Sequence, residues 1–248
     1  MTFTAPVLDY ALLAPMLIVL AGALVGVLIE AFVRNSARAT AQLFVAVATI
    51  VIAFAQLVRV HNQSSTSAAM GSVTFDGAGM LLQGSILVIA LISLFLIADQ
   101  DNFTAAAGAV PGSIEERQAH QARVQTTEVF PLTLFAVAGM LLFPVSSDLI
   151  TLFVALEMLS LPLYLMAGLS RYRRLASQEA ALKYFLLGAF SSAFFLFGAA
   201  FLFGYSGSVS FAGIQAAVTG SSGNDVFLLL GIALVSVGLL FKVGAVPF

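Results

Sequence analysis

The 248-residue chain has no cysteine, only two histidines, and charged side chains at just 9% of its positions. Without cysteine there can be no Cys-ligated iron–sulfur cluster, no thiol chemistry and no disulfide, so the redox compartment leaves no mark. His61 and His120 stand in polar stretches between apolar runs, which argues against paired haem ligation inside a membrane. A net charge of −2 offers no basic surface for nucleic acid. No phosphate-cradling glycine loop, dinucleotide fingerprint or metal-ligand spacing occurs. The N-terminus lacks the basic start of a cleavable signal peptide, so the first apolar run is expected to stay in the chain.

What fills the chain is apolar: 60% of residues are hydrophobic, and the mean hydropathy is +1.06. Seven runs approach the ~20 residues that span a bilayer, at 10–33, 38–59, 77–98, 128–145, 149–170, 178–205 and 226–248. They are apolar on all sides, whereas barrel strands would alternate, so the expected fold is an all-α polytopic helix bundle. Arg34, Arg38, Arg117, Arg123, Arg171, Arg173 and Arg174 fall in the loops after the first, third and fifth runs. Only Arg59 marks the other side. The positive-inside rule then predicts a multi-pass chain with those loops in the cytoplasm and the N-terminus outside.

Two loops are long. Residues 99–127 read as a polar cytoplasmic connector, and 206–225 as a Gly/Ser-rich external loop with a short surface helix over 211–218. Asp76 and Asp99 sit at helix ends, where capping explains them. Gly22 and Gly26 form a small-residue motif suited to helix packing.

Three ionisable residues lie within the spans: Glu157, Lys183 and Lys242. A charge there costs several kcal/mol, and the ones that chains retain mark ion or proton pathways or pin helices together as static bridges. The fifth run carries Glu157 near its middle. Its eleven Leu, Ile, Val and Phe residues favour insertion by roughly 5 kcal/mol, against a cost of about 3 for one acid. Glu157, Ser160 and Tyr164 share one helix face. Pro162 has no amide hydrogen, so the Met158 carbonyl is expected to lose its helical partner and become free to hold water or a cation. Lys183 is a turn or two inside the sixth run, able to snorkel or to pair with Glu179 four residues back. Gly188, Ala189, Ser191 and Ser192 follow as small packing residues. In the seventh run Gly231, Gly238 and Lys242 lie within about 40° of one another, and Gly244 and Pro247 are expected to break the helix beside the lysine. Burial disfavours the charged form of both acid and amine, and an opposite charge restores it, so Glu157 and Lys242 could exchange protons.

These segments resemble the antiporter-like subunits of respiratory complex I, the proton-pumping NADH:quinone oxidoreductase. The likeness rests on LITLFVALEMLSLPLYLMAGL after Asp148, on QEAALKYFLLGAFSSAFFLFG from Gln178, and on FKVGAVPF at the end. The wording LEMLSLPLY favours the N-type branch over the L and M types. The resemblance covers the second half well and the first three helices by pattern only. It implies a bacterial cell-membrane protein of about fourteen helices with two inverted five-helix repeats. Residues 1–127 would then hold three helices and a cytoplasmic loop, and 128–248 an incomplete first repeat. It implies that Glu157, Lys183 and Lys242 relay protons, driven by quinone reduction in other subunits. The chain would be part of an enzyme but carry no redox site itself, with NADH, flavin, iron–sulfur and quinone sites elsewhere in the complex. Its partners would be other membrane-arm subunits, further antiporter-like ones included, and the lipid bilayer. The family continues past Pro247 and Phe248, so the chain is expected to be a fragment, the N-terminal half. Two other readings share the residues: a subunit of a multisubunit cation/proton antiporter, and a non-transporting scaffold with a static Glu157–Lys242 bridge.

Overall fold

The computed structural model of the chain describes residues 8–61, 67–98, 113–114, 127–169, 174–220 and 225–245. Asp99, His120 and Pro247 lie outside them. In order come α1 (Tyr10–Phe32), α2 (Asn35–Val60), a hairpin of β1 (Ser67–Ala68) and β2 (Val73–Thr74), and α3 (Gly77–Ala98). After these follow α4 (Val129–Leu142), α5 (Leu149–Leu169), α6 (Arg174–Ser206), α7 (Phe211–Gly220) and α8 (Val226–Lys242). Helices satisfy every backbone group internally, the only way for an open segment to cross a dry bilayer core. Large apolar side chains such as Leu28, Phe44, Ile89 and Phe95 lie exposed on the outside, where lipid would cover them. The chain is a multi-pass membrane protein.

Among the described residues five helices (α1, α2, α3, α5 and α6) are long and apolar enough to cross a membrane. The fourth and seventh expected spans are helical but shorter. The fourth ends in a 3-10 turn, Phe143–Val145, because Pro144 cannot donate to the preceding helix. Gln83 on α3 donates to the Leu141 carbonyl in this last turn at 2.9 Å. The last helix stops at Lys242, short of the end of the apolar run but where Gly244 was expected to break it, and the stop is a glycine cap. Gly244 adopts φ +66°, its amide reaches the Phe241 carbonyl at 3.1 Å, and the Ala245 amide reaches Leu240 at 3.0 Å. This paired closure ends a helix through a left-handed residue that only glycine adopts cheaply.

Packing forms two clusters. Leu12, Val19, Ile50, Leu87, Leu94 and the α4 residues Phe130, Leu134 and Leu141 build one core. Leu149 and Leu156 of α5 and Phe195, Ala199 and Leu202 of α6 build the other, with Val235 and Leu239 of α8 packed against it. Because α4 packs on α1 and also on α5, contacts run across the expected boundary at 127/128. Gly22 lies against Thr49, and Gly26 lies against Pro131 and Gln42, so the glycine motif of α1 is a packing device. At the α1–α2 turn, Glu30 pairs with Arg38 at 2.9 Å and accepts from Gln42 at 3.0 Å and Thr127 at 2.7 Å.

One end of the bundle is tied by backbone hydrogen bonds between three connections. Ser147 donates to the Ser72 carbonyl at 2.9 Å, Phe211 to Ser147 at 3.1 Å, and Leu149 to Val209 at 3.0 Å. Asp148 caps α5 there, accepting from the Thr151 amide at 2.7 Å and hydroxyl at 2.8 Å. Asp76 caps α3 in the same way through the Gly79 amide, at 2.6 Å. The two-residue strands were not expected from sequence, since they are too short to show alternation. The knot fixes where α5 begins, and so fixes the height of Glu157. The α7 helix lies where the surface helix was expected.

Candidate functional site

Glu157 is half-buried on α5, two turns into the helix from the Asp148 cap. Its carboxylate accepts a hydrogen bond from the Ser192 hydroxyl of α6. One turn on, Ser160 is buried and donates to the Leu156 carbonyl at 2.5 Å. Its oxygen is therefore free to accept, and it accepts from Lys242. The Lys242 ammonium lies 2.8 Å from Ser160 Oγ and 3.2 Å from Tyr164 OH, and 5.7 Å from the centre of the Tyr164 ring.

Two features of α8 favour a cation at this place. Lys242 is the last helical residue, so it stands at the negative end of the helix dipole. Glycines also bring α8 unusually close to α6. A Cβ on Gly238 would come within 2.7 Å of Phe195 Cβ, and one on Gly198 within 2.6 Å of the Val235 amide nitrogen. Gly188 similarly leaves the space that the Tyr164 hydroxyl occupies. The Tyr164 ring is steadied by edge contacts to Tyr184 and Phe185, at 4.5 and 5.9 Å between centroids.

On the other side of α5, Gly139 of α4 brings its backbone against Met158 and Leu159. The segment next to the acid is thus held between α4 and α6. Pro162 is buried within α5, which continues through it to Leu169.

The structure brings Glu157 and Lys242 into one polar group without a direct bridge. Among the described residues the ion pairs are Arg38–Glu30 and Lys183–Glu179. Glu157 is held by Ser192 of α6, and Lys242 by Ser160 and Tyr164 farther along the same face of α5. Lys183 stands apart. It pairs with Glu179 at 2.5 Å, and both side chains are more than half exposed. At 1.5 Å per residue α6 is about 50 Å long, against a hydrocarbon core of about 30 Å. Lys183 lies about 14 Å from the first residue of α6, so the excess length leaves room for it at the membrane boundary. Among the described residues no group of three or more His, Asp and Glu gathers to hold a metal ion.

Sequence reasoning placed Ser160 and Tyr164 on the face of Glu157 but did not pair them with Lys242. It read Ser191 and Ser192 as packing residues. The available signal was that these two serines face different neighbours, about 100° apart around α6.

Residues 146–248, which hold this site, match the family described as NADH:quinone oxidoreductase/Mrp antiporter, TM. In class, then, the fold is that of an all-α, multi-pass membrane chain, and its second half is similar to that antiporter family. The particular likeness is to subunit N of NADH-quinone oxidoreductase. The whole chain is 49% identical to subunit N 3 of Streptomyces griseus, covering 50% of that protein. It is 52% identical to subunit N of Thermobifida fusca, covering 47% of it. The chain thus spans about half the length of the curated relatives it matches. Among solved structures, respiratory complex I from Thermus thermophilus with bound Aureothin contains a chain 29% identical, with a TM-score of 0.69 over 94% of this chain and 45% of that one. An archaeal membrane-bound sulfane sulfur reductase shares the fold, with a TM-score of 0.61 over 93% of this chain and 44% of its own, at 21% identity.

Proposed function

We propose that the chain is part of the membrane arm of a proton-pumping NADH:quinone oxidoreductase and relays protons through buried Glu and Lys residues. In this reading it sits in a bacterial cell membrane with its N-terminus outside, beside other membrane-arm subunits. Quinone reduction on those other subunits drives the relay, and this chain performs no redox step. The two subunit N relatives named above, each about half identical along the whole chain, favour this reading over a cation/proton antiporter subunit.

The observation that supports the relay is the pair of hydroxyls that hold the amine on the helix face that carries the acid. Lys242 is hydrogen-bonded to Ser160 and Tyr164, one and two turns from Glu157 on the same helix face. Transfer of a proton from the ammonium to the carboxylate leaves a neutral amine and a carboxylic acid, so two buried charges vanish together. The return step recreates both. Hydroxyls both donate and accept, so Ser160, Tyr164 and water can carry the proton across the gap. A static ion pair would have placed carboxylate and ammonium in contact. Lys183 enters as a further relay member at the start of α6, set apart from the hydroxyl-linked group.

The test of the assignment is affinity purification of the tagged chain from its native membranes. NADH:quinone reductase activity and further antiporter-like subunits are expected to co-purify. Recovery with a set of cation-antiporter subunits and no such activity would contradict it.

A further inference from the structure

Serines inside a membrane helix ordinarily give their hydroxyl hydrogen to their own helix, four residues back. Ser85 does so to Leu81, Ser93 to Ile89, Ser160 to Leu156 and Ser206 to Leu202. Ser191 and Ser192 depart from that habit together. Both are buried, at 3% and 9% exposure, and each donates to a different helix. Ser192 donates to the Glu157 carboxylate on α5, and Ser191 donates to the Gly238 carbonyl on α8 at 3.0 Å.

Gly238 stands four residues before Lys242, so its carbonyl is the helical acceptor at the base of the turn that carries the ammonium. Its missing side chain is what lets Ser191 and Phe195 approach. One dipeptide on α6 therefore holds the acid with one hydroxyl and the seat of the amine with the other.

We propose that the Ser191–Ser192 pair is a positioning element that couples the protonation of Glu157 to the placement of Lys242. The proposal rests on the relay reading above. Its chemistry is specific to a hydroxyl. Ser192 donates to Glu157 when the carboxylate is charged, and can accept from it when the acid is protonated. Either state of the acid keeps a partner, and the change of direction is felt one residue away, where α8 is gripped. A packing residue of the same size would do neither.

The experiment uses the intact complex in its native membrane, with infrared difference spectra of the carboxyl stretch and proton pumping per NADH oxidised. Loss of a band in Glu157→Gln assigns it to Glu157. Ser192→Ala is expected to shift that band and slow pumping about tenfold, the scale of a lost hydrogen bond to a charged group. Ser192→Thr keeps the hydroxyl and should hold both near the parental values. Ser191→Ala is expected to leave the band in place while slowing pumping. If Ser192→Ala fails to assemble, Ser192→Cys, with its weaker donor, should show a shifted band and slowed pumping. An unshifted band, or a shifted band with parental pumping, in whichever of these two variants assembles would overturn the proposal. Parental pumping in Glu157→Gln would instead overturn the relay reading itself.

Discussion

Lys242 Nζ donates to Ser160 Oγ at 2.8 Å, joining the end of α8 to the middle of α5 across the bundle. The contact takes its meaning from what it replaces. A lysine half-buried near a carboxylate would gain most by touching it, yet here Lys242 bonds to Ser160 and Tyr164 while Glu157 bonds to Ser192. A pair held slightly apart can change charge without breaking a bridge that would cost several kcal/mol to break.

Removing those hydroxyls should slow the relay in a graded way. Tyr164→Phe keeps the ring and its contacts to Tyr184 and Phe185, and Ser160→Ala keeps the helix. Each is expected to reduce proton pumping by a few-fold, because the other partner still holds the ammonium. The double substitution strands it, and a loss on the order of tenfold or more is expected. Vesicle pumping assays check this; a double variant at the parental rate would show that the hydroxyls are bystanders.

The two lysines should behave differently. An ion pair this exposed is screened by water and adds little to stability, so Lys183→Gln should leave the melting temperature of the complex unchanged. Its pumping should fall less than that of Lys242→Gln, which loses the ammonium from the buried group. Equal losses would move Lys183 into the central group, against its placement beside Glu179.

The glycine seam between α6 and α8 sets the height of Lys242. Gly238→Val inserts atoms where Phe195 Cβ lies 2.7 Å from an added Cβ. Overpacking of this kind costs about 1–3 kcal/mol, read as reduced abundance and a lower melting temperature. Gly204, in the same helix α6, has nothing within 4 Å of an added Cβ, so Gly204→Ala should be neutral or slightly stabilising. A tolerated Gly238→Val would show that α8 does not need this approach.

The polar group at the α1–α2 turn should matter for stability alone. Glu30→Ala leaves Arg38, buried Gln42 and Thr127 each short of a partner. Losing these bonds is expected to destabilise by about 1–3 kcal/mol, lowering the melting temperature while pumping per assembled complex stays unchanged. An unchanged melting temperature would contradict the clamp.

How legible these features were in the sequence depended on range. Helices from unbroken apolar runs, the Asp76 cap and the packing role of Gly22 and Gly26 all follow from local chemistry, and they are where the sequence placed them. The shared face of Glu157, Ser160 and Tyr164 was legible for the same reason, since it follows from the 3.6-residue turn. The partners of Lys242 were not, because residues 160 and 242 meet only through how α5, α6 and α8 pack. Lys183 was ambiguous between pairing and function, and the structure settles only its pairing. The short hairpin depends on a backbone closure that a hydropathy pattern does not encode, whereas the stop of α8 beside Lys242 was legible in Gly244.

The most direct measurement is proton pumping by Glu157→Gln in the assembled complex, normalised to NADH oxidation. Glutamine keeps the size of the side chain and can still accept from Ser192, but it cannot take a proton at physiological pH. Assembly retained with pumping reduced is the predicted result. An assembled variant that pumps at the parental ratio would contradict proton passage through this carboxyl and leave the buried acid a structural anchor.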